Sequence, residues 1–301
     1  MDWVLASLTG SILIAGVSVL DKRILMAHVP GVSGFYGLVG VIQIGIAGVV
    51  LLAVPWESGA SGAAVAWSIV SGLCWGITLL LMFSALRGLE VSRAVPAYHT
   101  FPVFVAIMAV TFLDEHLSIL HWVSILLVVA GAGLVMVGQK QEEGRQNNKV
   151  AMTFVFLASA ATAVGMVTSK VALEEMNFWN VLALRSIFLG AVLLVPGLMP
   201  QGLKQAKVIL ADPKAIGLIL FAEAWIAPVA MYAMLLALSL GSAALVTTLL
   251  STRPVFVLLI SASLSTRFWN LMNEPLTRDV LVLKSTSTAM VVGGAAALTL
   301  A

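Results

Sequence analysis

ALRGLEVSRAVPAYHTFPVFV, residues 85–105, and ALSLGSAALVTTLLSTRPVFV, residues 237–257, open on the same Ala-Leu pair and close on the same Pro-Val-Phe-Val. Ala85-Leu86 matches Ala237-Leu238, and Pro102 to Val105 match Pro254 to Val257, both at an offset of 152 residues. Further on, DEHLS (Asp114 to Ser118) answers NEPLT (Asn273 to Thr277), with seven additional residues before the second copy. Lys22 and Lys170 stand near the ends of the first apolar stretch of each half. Four identical residues in two apolar segments can arise by chance, but a constant offset with matched order is what an internal repeat produces.

The unit that repeats is a set of membrane-length helices. Of the 301 residues, 60% are hydrophobic and only 10% charged, and the mean hydropathy is strongly positive, outside the range of a water-soluble domain. The apolar residues come in runs of the length an α-helix needs to cross about 30 Å of hydrocarbon. Runs near 4–24, 34–54, 63–84, 91–112, 117–138, 150–170, 179–199, 215–236, 243–264 and 280–300 give ten expected spans. The period-2 alternation of a transmembrane barrel is missing. The expected fold is therefore an all-α polytopic membrane protein.

The most polar stretch, QKQEEGRQNNK from Gln139 to Lys149, lies at the centre of the chain and has the composition of a solvated linker. It divides the sequence into a five-helix half at 1–140, a linker at 141–149 and a second five-helix half at 150–301. Five is odd, so two similar halves joined in series must be inverted relative to each other. Inverted repeats allow two conformations related by exchange of the halves, which is the basis of alternating access in many secondary transporters.

Other classes find little support. A net charge of +2 without a basic run gives no reason to expect nucleic acid. Cys74 is the only cysteine, so no disulfide forms within the chain, and its apolar setting suggests a buried small side chain. HExxH, CxxC, GxSxG and P-loop patterns do not occur, and the four histidines are scattered. No enzyme, metal or cofactor is expected from this. The first apolar run begins almost at Met1 without a basic leader, which reads as a retained helix.

The ordered set of Pro102, Glu115 and Gly131/Gly133, followed by Pro254, Glu274 and Gly293/Gly294, resembles the EamA-type branch of the drug/metabolite transporter superfamily over nearly the whole length. The resemblance implies export or exchange of small metabolites through a central cavity lined by helices of both halves. The insertion around Arg267 to Asn273 and the short N-terminus depart from the usual pattern.

Lys and Arg are distributed unevenly. Lys22, Arg23, Arg87, Arg93, Lys140, Arg145, Lys149, Lys204, Lys207, Lys214, Arg267 and Arg278 fall beside the connections after spans 1, 3, 5, 7 and 9, whereas the opposite side receives only Lys170. The positive-inside rule then places both termini outside the cytoplasm, although the family more often has both inside.

Ionisable side chains deep in a span are default functional candidates because each costs several kcal/mol unless it faces a cavity or a partner. Glu223 and Arg253 are the deepest and could pair with each other; Arg253 suits a substrate carboxylate or phosphate, and Glu223 an amine or a coupling proton. A structural salt bridge is the equally weighted alternative. His99, as a possible proton site, and Tyr98 precede Pro102 in the segment corresponding to Ser251 to Pro254. Trp75 and Trp225 sit within spans, where a ring can stack on a substrate. Arg185, a few residues into span 7, and Asn180 could line an entrance, but Arg185 is expected rather to snorkel to the headgroups or to form a structural pair. Glu115 and Glu274 read as carboxylates placed at the N-terminus of the last helix of each half. Gly72/Gly76 and Gly34/Gly37/Gly40 have spacings that allow close helix contact.

The sequence thus predicts a multi-pass protein of the inner or plasma membrane that moves a small polar or amphipathic, amino-acid-like metabolite, coupled to protons or to exchange. Its expected partners are that solute and the lipid bilayer, as a monomer or a homodimer. A non-transporting scaffold or sensor and an intramembrane lipid-modifying enzyme are the alternatives.

Overall fold

A chain with so few polar side chains can satisfy its backbone in lipid only by forming helices, and among the described residues the secondary structure is entirely helical. The computed structural model describes residues 2–85, 94, 98–137, 148–253, 255–257, 259–260, 282, 286–287, 289–290, 293–294 and 297. In order these form α1 (Asp2–Ala27), α2 (Val32–Ala53), α3 (Gly62–Ala85), α4 (Phe101–Phe112), α5 (Ile119–Val137), α6 (Asn148–Glu175) and α7 (Phe178–Leu198). There follow α8 (Pro200–Leu210), the long rod α9 (Pro213–Leu240) and α10 (Ala243–Leu250). Among the described residues six helices, α1, α2, α3, α6, α7 and α9, are long and apolar enough to cross a bilayer, and shorter apolar helices accompany them. The chain is an integral, multi-pass membrane protein.

Two elements differ from the sequence expectation. Residues 200–210, expected to be a connection, form α8, started by Pro200 in its first turn, where the missing N–H costs nothing. It buries Gly202 and Ile209 and exposes Leu203, Val208 and Leu210, an amphipathic pattern too short to register as a span. Pro102, expected inside a span, instead sits in the first turn of α4. Pro254, Glu274 and the insertion at 267–273 lie outside the described residues.

Glycines set the closest contacts. α2 crosses α7 where Gly37 meets Gly197 and Gly40 meets Gly190: a Cβ at Gly197 would lie 2.3 Å from the Gly37 Cα, and one at Gly190 would lie 2.7 Å from the Gly40 carbonyl oxygen. α3 meets α7 through Gly72 and Gly76, against Arg185 and Val192. Helix contact through small residues is what lipid allows when burial of apolar surface offers no gain. Serine and threonine hydroxyls add ties between helices, including Ser71 to the Gly165 carbonyl at 2.9 Å and Ser287 to the Gly131 carbonyl at 2.5 Å.

Connections pair across the molecule. His28, after α1, bonds Asp212, before α9, at 2.8 Å, and this hydrogen bond holds the Asp212 carboxyl below its ordinary range. The Gly34 N–H donates to the Gln205 side chain of α8 at 3.0 Å. At another pair of connections, Ser61 donates to Glu175 and the Asn177 N–H donates to Glu57, each at 2.5 Å.

Glu115 is structural in a different way from the one expected. Its carboxylate accepts from Ser242 Oγ at 2.5 Å and from the Ala243 and Ala244 N–H groups at 2.6 and 3.3 Å. It therefore caps α10 in the second half of the chain, not the helix that follows it in sequence.

Candidate functional site

The helices enclose a cavity of about 690 Å³ between α1, α2, α3, α7 and α9, reaching the α1–α2 turn at Val29 to Val32 and α8 at Gln201 and Gln205. Of the residues singled out in the sequence, Glu223, Arg253, His99, Tyr98 and Trp75 line it. Trp225 does not: it is 73% exposed on the outer surface. Residues two apart on a helix point to nearly opposite sides, so the turn that aims Glu223 inward aims Trp225 outward.

Glu223 occupies a widened turn. Leu220–Ile226 is π-helical, with the Ala227 N–H bonded to the Ala222 carbonyl five residues back. Pro228 follows two residues after this segment; its ring cannot share an α-helical turn with the carbonyl of residue 224, and the wider turn relieves that conflict. The same turn carries Glu223 toward α1, which packs along α9.

There Glu223 meets Asp21, close enough for their carboxyl groups to share a hydrogen bond. Both are more than nine-tenths buried. A hydrogen bond between two carboxyl groups requires that one of them keep a proton. The expected Glu223–Arg253 ion pair is not among the described contacts. Arg253 hydrogen-bonds Ser18 of α1 and feels the charge of Asp21.

Arg185 departs furthest from expectation. It does not snorkel: the side chain is fully buried on the cavity wall, with its guanidinium carbon 4.7 Å from the centroid of the Trp75 ring. Gly72 makes this possible, since a Cβ there would stand 2.5 Å from the Arg185 carbonyl oxygen. None of its three guanidinium nitrogens has a hydrogen-bond partner among the described residues.

On the remaining wall, the Tyr98 hydroxyl lies 2.9 Å from the Thr162 hydroxyl, which lies 3.1 Å from that of Thr78. The His99 ring stands 5.4 Å from Tyr98 and 5.7 Å from Phe101, and neither of its nitrogens is hydrogen-bonded among the described residues. Sequence reading missed Asp21 and Gln43, both buried on the cavity. Gln43 carried a usable signal, a lone amide within the apolar run GVIQIGIAG. Asp21 was masked by the adjoining Lys22 and Arg23, which made Asp-Lys-Arg look like the end of a span, whereas α1 continues to Ala27. Among the described residues no group of three His, Cys, Asp or Glu side chains is placed to hold a metal ion.

Comparison with known proteins agrees with this architecture. A solved structure described as "Crystal structure of protein" superposes with a TM-score of 0.72 at 16% identity, over 99% of this chain and 96% of that one, a likeness of fold. The curated "Uncharacterized transporter in cobO 3'region" of Sinorhizobium sp is 32% identical over 99 residues, which is 32% of this chain and 70% of that protein. The family model for EamA-like transporters matches residues 1–137 and 149–270. Added to the helices and the polar cavity among them, that match settles the kinship: the chain belongs to the EamA-like transporter family.

Proposed function

We propose that the protein is a secondary transporter of a small polar or amphipathic metabolite, amino-acid-like in carrying an acidic group, and that it works by alternating access in an inner or plasma membrane. The observation that carries this reading is the cavity itself: about 690 Å³ at the centre of a membrane protein, walled by Asp21, Glu223, Arg185 and Arg253. A scaffold or sensor has no use for four ionisable side chains held out of water at a cost of several kcal/mol each. A cargo site has.

Two inverted halves, 1–140 and 150–301 around the linker 141–149, are part of the proposal, and the helix contacts support it. Numbering the expected spans one to ten, exchange of the halves turns one into six, two into seven, and so on. The observed contacts α1·α9 and α3·α6 are spans one with eight and three with six, which exchange into each other; α2·α7 and α4·α10, spans two with seven and four with nine, map onto themselves. Contacts of Ser287 with Gly131 and of Gly294 with Val128 pair spans five and ten in the same way. The connections obey the rule too. His28–Asp212 joins the first to the seventh, and Ser61–Glu175 with Asn177–Glu57 joins the second to the sixth, its image on the opposite face if the halves are inverted.

Within the cavity, Arg253 holds an anionic group of the solute, Glu223 with Asp21 holds a proton or an amine, and Tyr98, His99 and Trp75 shape the wall. Coupling is to protons or to exchange of a second solute. In proteoliposomes screened with pooled amino acids, amines and phosphorylated metabolites, the wild type is expected to move at least one, and Arg253→Gln to lose that flux while remaining folded. No flux across the whole panel, or a chemically altered lipid product, would replace this reading with the scaffold or the lipid enzyme. The charge bias places both termini outside the cytoplasm, with the cavity reaching the cytoplasmic face at α8. Terminal tags that react only from the cytoplasmic side would reverse that assignment.

A further inference from the structure

We propose that Arg185, held over the face of Trp75, joins Arg253 in binding the oxyanion of the solute, a carboxylate or a phosphate attached to an organic body, and carries the larger share of that binding. The inference rests on the transport reading only for the claim that the bound molecule is cargo.

A guanidinium stays charged at neutral pH and carries five N–H donors in a rigid fork. At Arg185 this group is wholly buried and its three nitrogens have no hydrogen-bond partner among the described residues. The Trp75 face, 4.7 Å away, compensates part of the charge but accepts none of the in-plane N–H bonds. The indole N–H of Trp75 is itself buried without a partner among the described residues, a further donor at the same place.

The charge balance of the cavity points the same way. Asp21 and Glu223, close enough to share a hydrogen between them, supply at most one negative charge, and Asp21 acts on Arg253. His99 can add only positive charge. Arg185 is thus left as an uncompensated cation, and among the described residues no carboxylate pairs with it. A structural arginine in a lipid-embedded core is normally paired; one whose fork faces a cavity fits a planar or tetrahedral oxyanion arriving from outside, by bidentate hydrogen bonds. The apolar part of the wall, Leu79, Met82, Phe83 and Met231, suits a hydrocarbon or aromatic body behind the acidic group.

The test is calorimetric titration of the purified full-length protein with phenylacetate, phenyl phosphate and the neutral benzyl alcohol. At least one anion is expected to bind more tightly than the alcohol, and the better of the two identifies carboxylate or phosphate as the natural group. Arg185→Gln should weaken that anion by roughly thirtyfold or more, as loss of one partner of a buried charge pair does, and leave the alcohol unchanged. Arg185→Lys should recover part of the loss. Retained anion binding in a folded Arg185→Gln protein overturns the proposal, as does equal binding of all three probes by the wild type. If the variant does not fold, phenylglyoxal labelling of the wild type decides: Arg185 should react, and the bound anion should protect it, whereas labelling indifferent to either anion overturns the site. Loss of anion binding in Arg185→Gln with no flux in the wild type would keep the site and remove the transport reading; flux without anion binding would do the reverse.

Discussion

Glu223→Gln is expected to abolish accumulation of solute driven by a pH gradient, bringing it to the level of protein-free liposomes, while the folded protein still binds its solute. Glutamine keeps the size and hydrogen-bonding capacity of glutamic acid but cannot take up or release a proton at neutral pH. In the wild type, Asp21 on α1 and Glu223 on the π turn of α9 lie close enough to share a hydrogen bond across the contact of the two helices. Under the proposed topology these are the first and eighth spans, one from each half. A proton held there is bonded to both halves, so its loss leaves two like charges in contact, which repel and favour parting of the helices. The proton thus bears directly on the equilibrium that alternating access requires. Asp21→Asn should have the same effect. Both substitutions preserve a hydrogen-bonded pair, so each should cost only about 1 kcal/mol of stability. Glu223→Leu would leave the buried Asp21 carboxyl without that hydrogen-bond partner, at about 1–3 kcal/mol. Gradient-driven uptake that persists in Glu223→Gln would move the coupling elsewhere, with His99 the next group to test.

How much of this could be read from the sequence depended on which property was asked for. Hydropathy located the helices, because lipid solvates the whole length of a span and every residue contributes to the signal. It could not see α8, whose apolar face is only three or four residues wide. Nor could it assign facing, since side-chain direction depends on how each helix is rotated, and helices apolar on every side carry no moment to fix it. Arg185 shows the consequence. Its position a few residues into span 7 suggested snorkelling, but it lies about 10 Å along α7 at 1.5 Å per residue, on the side that Gly72 draws against α3. Trp225 was excludable without a structure, because it is two residues from Glu223 and both cannot face one cavity. Glu115 shows a different limit: its role as an N-terminal carboxylate was legible from its charge and its turn, but the helix it caps is 128 residues away in sequence.

The second large effect concerns the crossing of α2 and α7. Introducing a side chain at Gly190 or Gly197, as Gly190→Leu or Gly197→Leu, is expected to leave no correctly folded protein in detergent. At both positions the obstruction is backbone: the Gly40 carbonyl oxygen 2.7 Å from a Cβ at Gly190, and the Gly37 Cα 2.3 Å from one at Gly197. A flexible neighbour could swing aside, but a helix backbone moves only with its whole helix, so relief requires α2 and α7 to separate and give up the ties on both flanks. Overpacking in a compliant core costs about 1–3 kcal/mol; where two backbones are already in contact the cost exceeds that range. The partner helix α2 supplies the control. Gly45 and Gly48 have nothing within 4 Å of a built Cβ, so Gly48→Ala should match or exceed the wild-type melting temperature, gaining up to about 1 kcal/mol from helix propensity. Melting curves followed by size-exclusion fluorescence would separate the cases. If Gly190→Leu melts like the wild type, α2 and α7 do not touch through these glycines. That contact is the one the proposed exchange of halves maps onto itself, and a pivot held by backbone contact lets helices on either side rock without prising the core apart. Gly190→Ala, which adds one methyl at the same point, should therefore slow flux by a larger factor than it weakens solute binding.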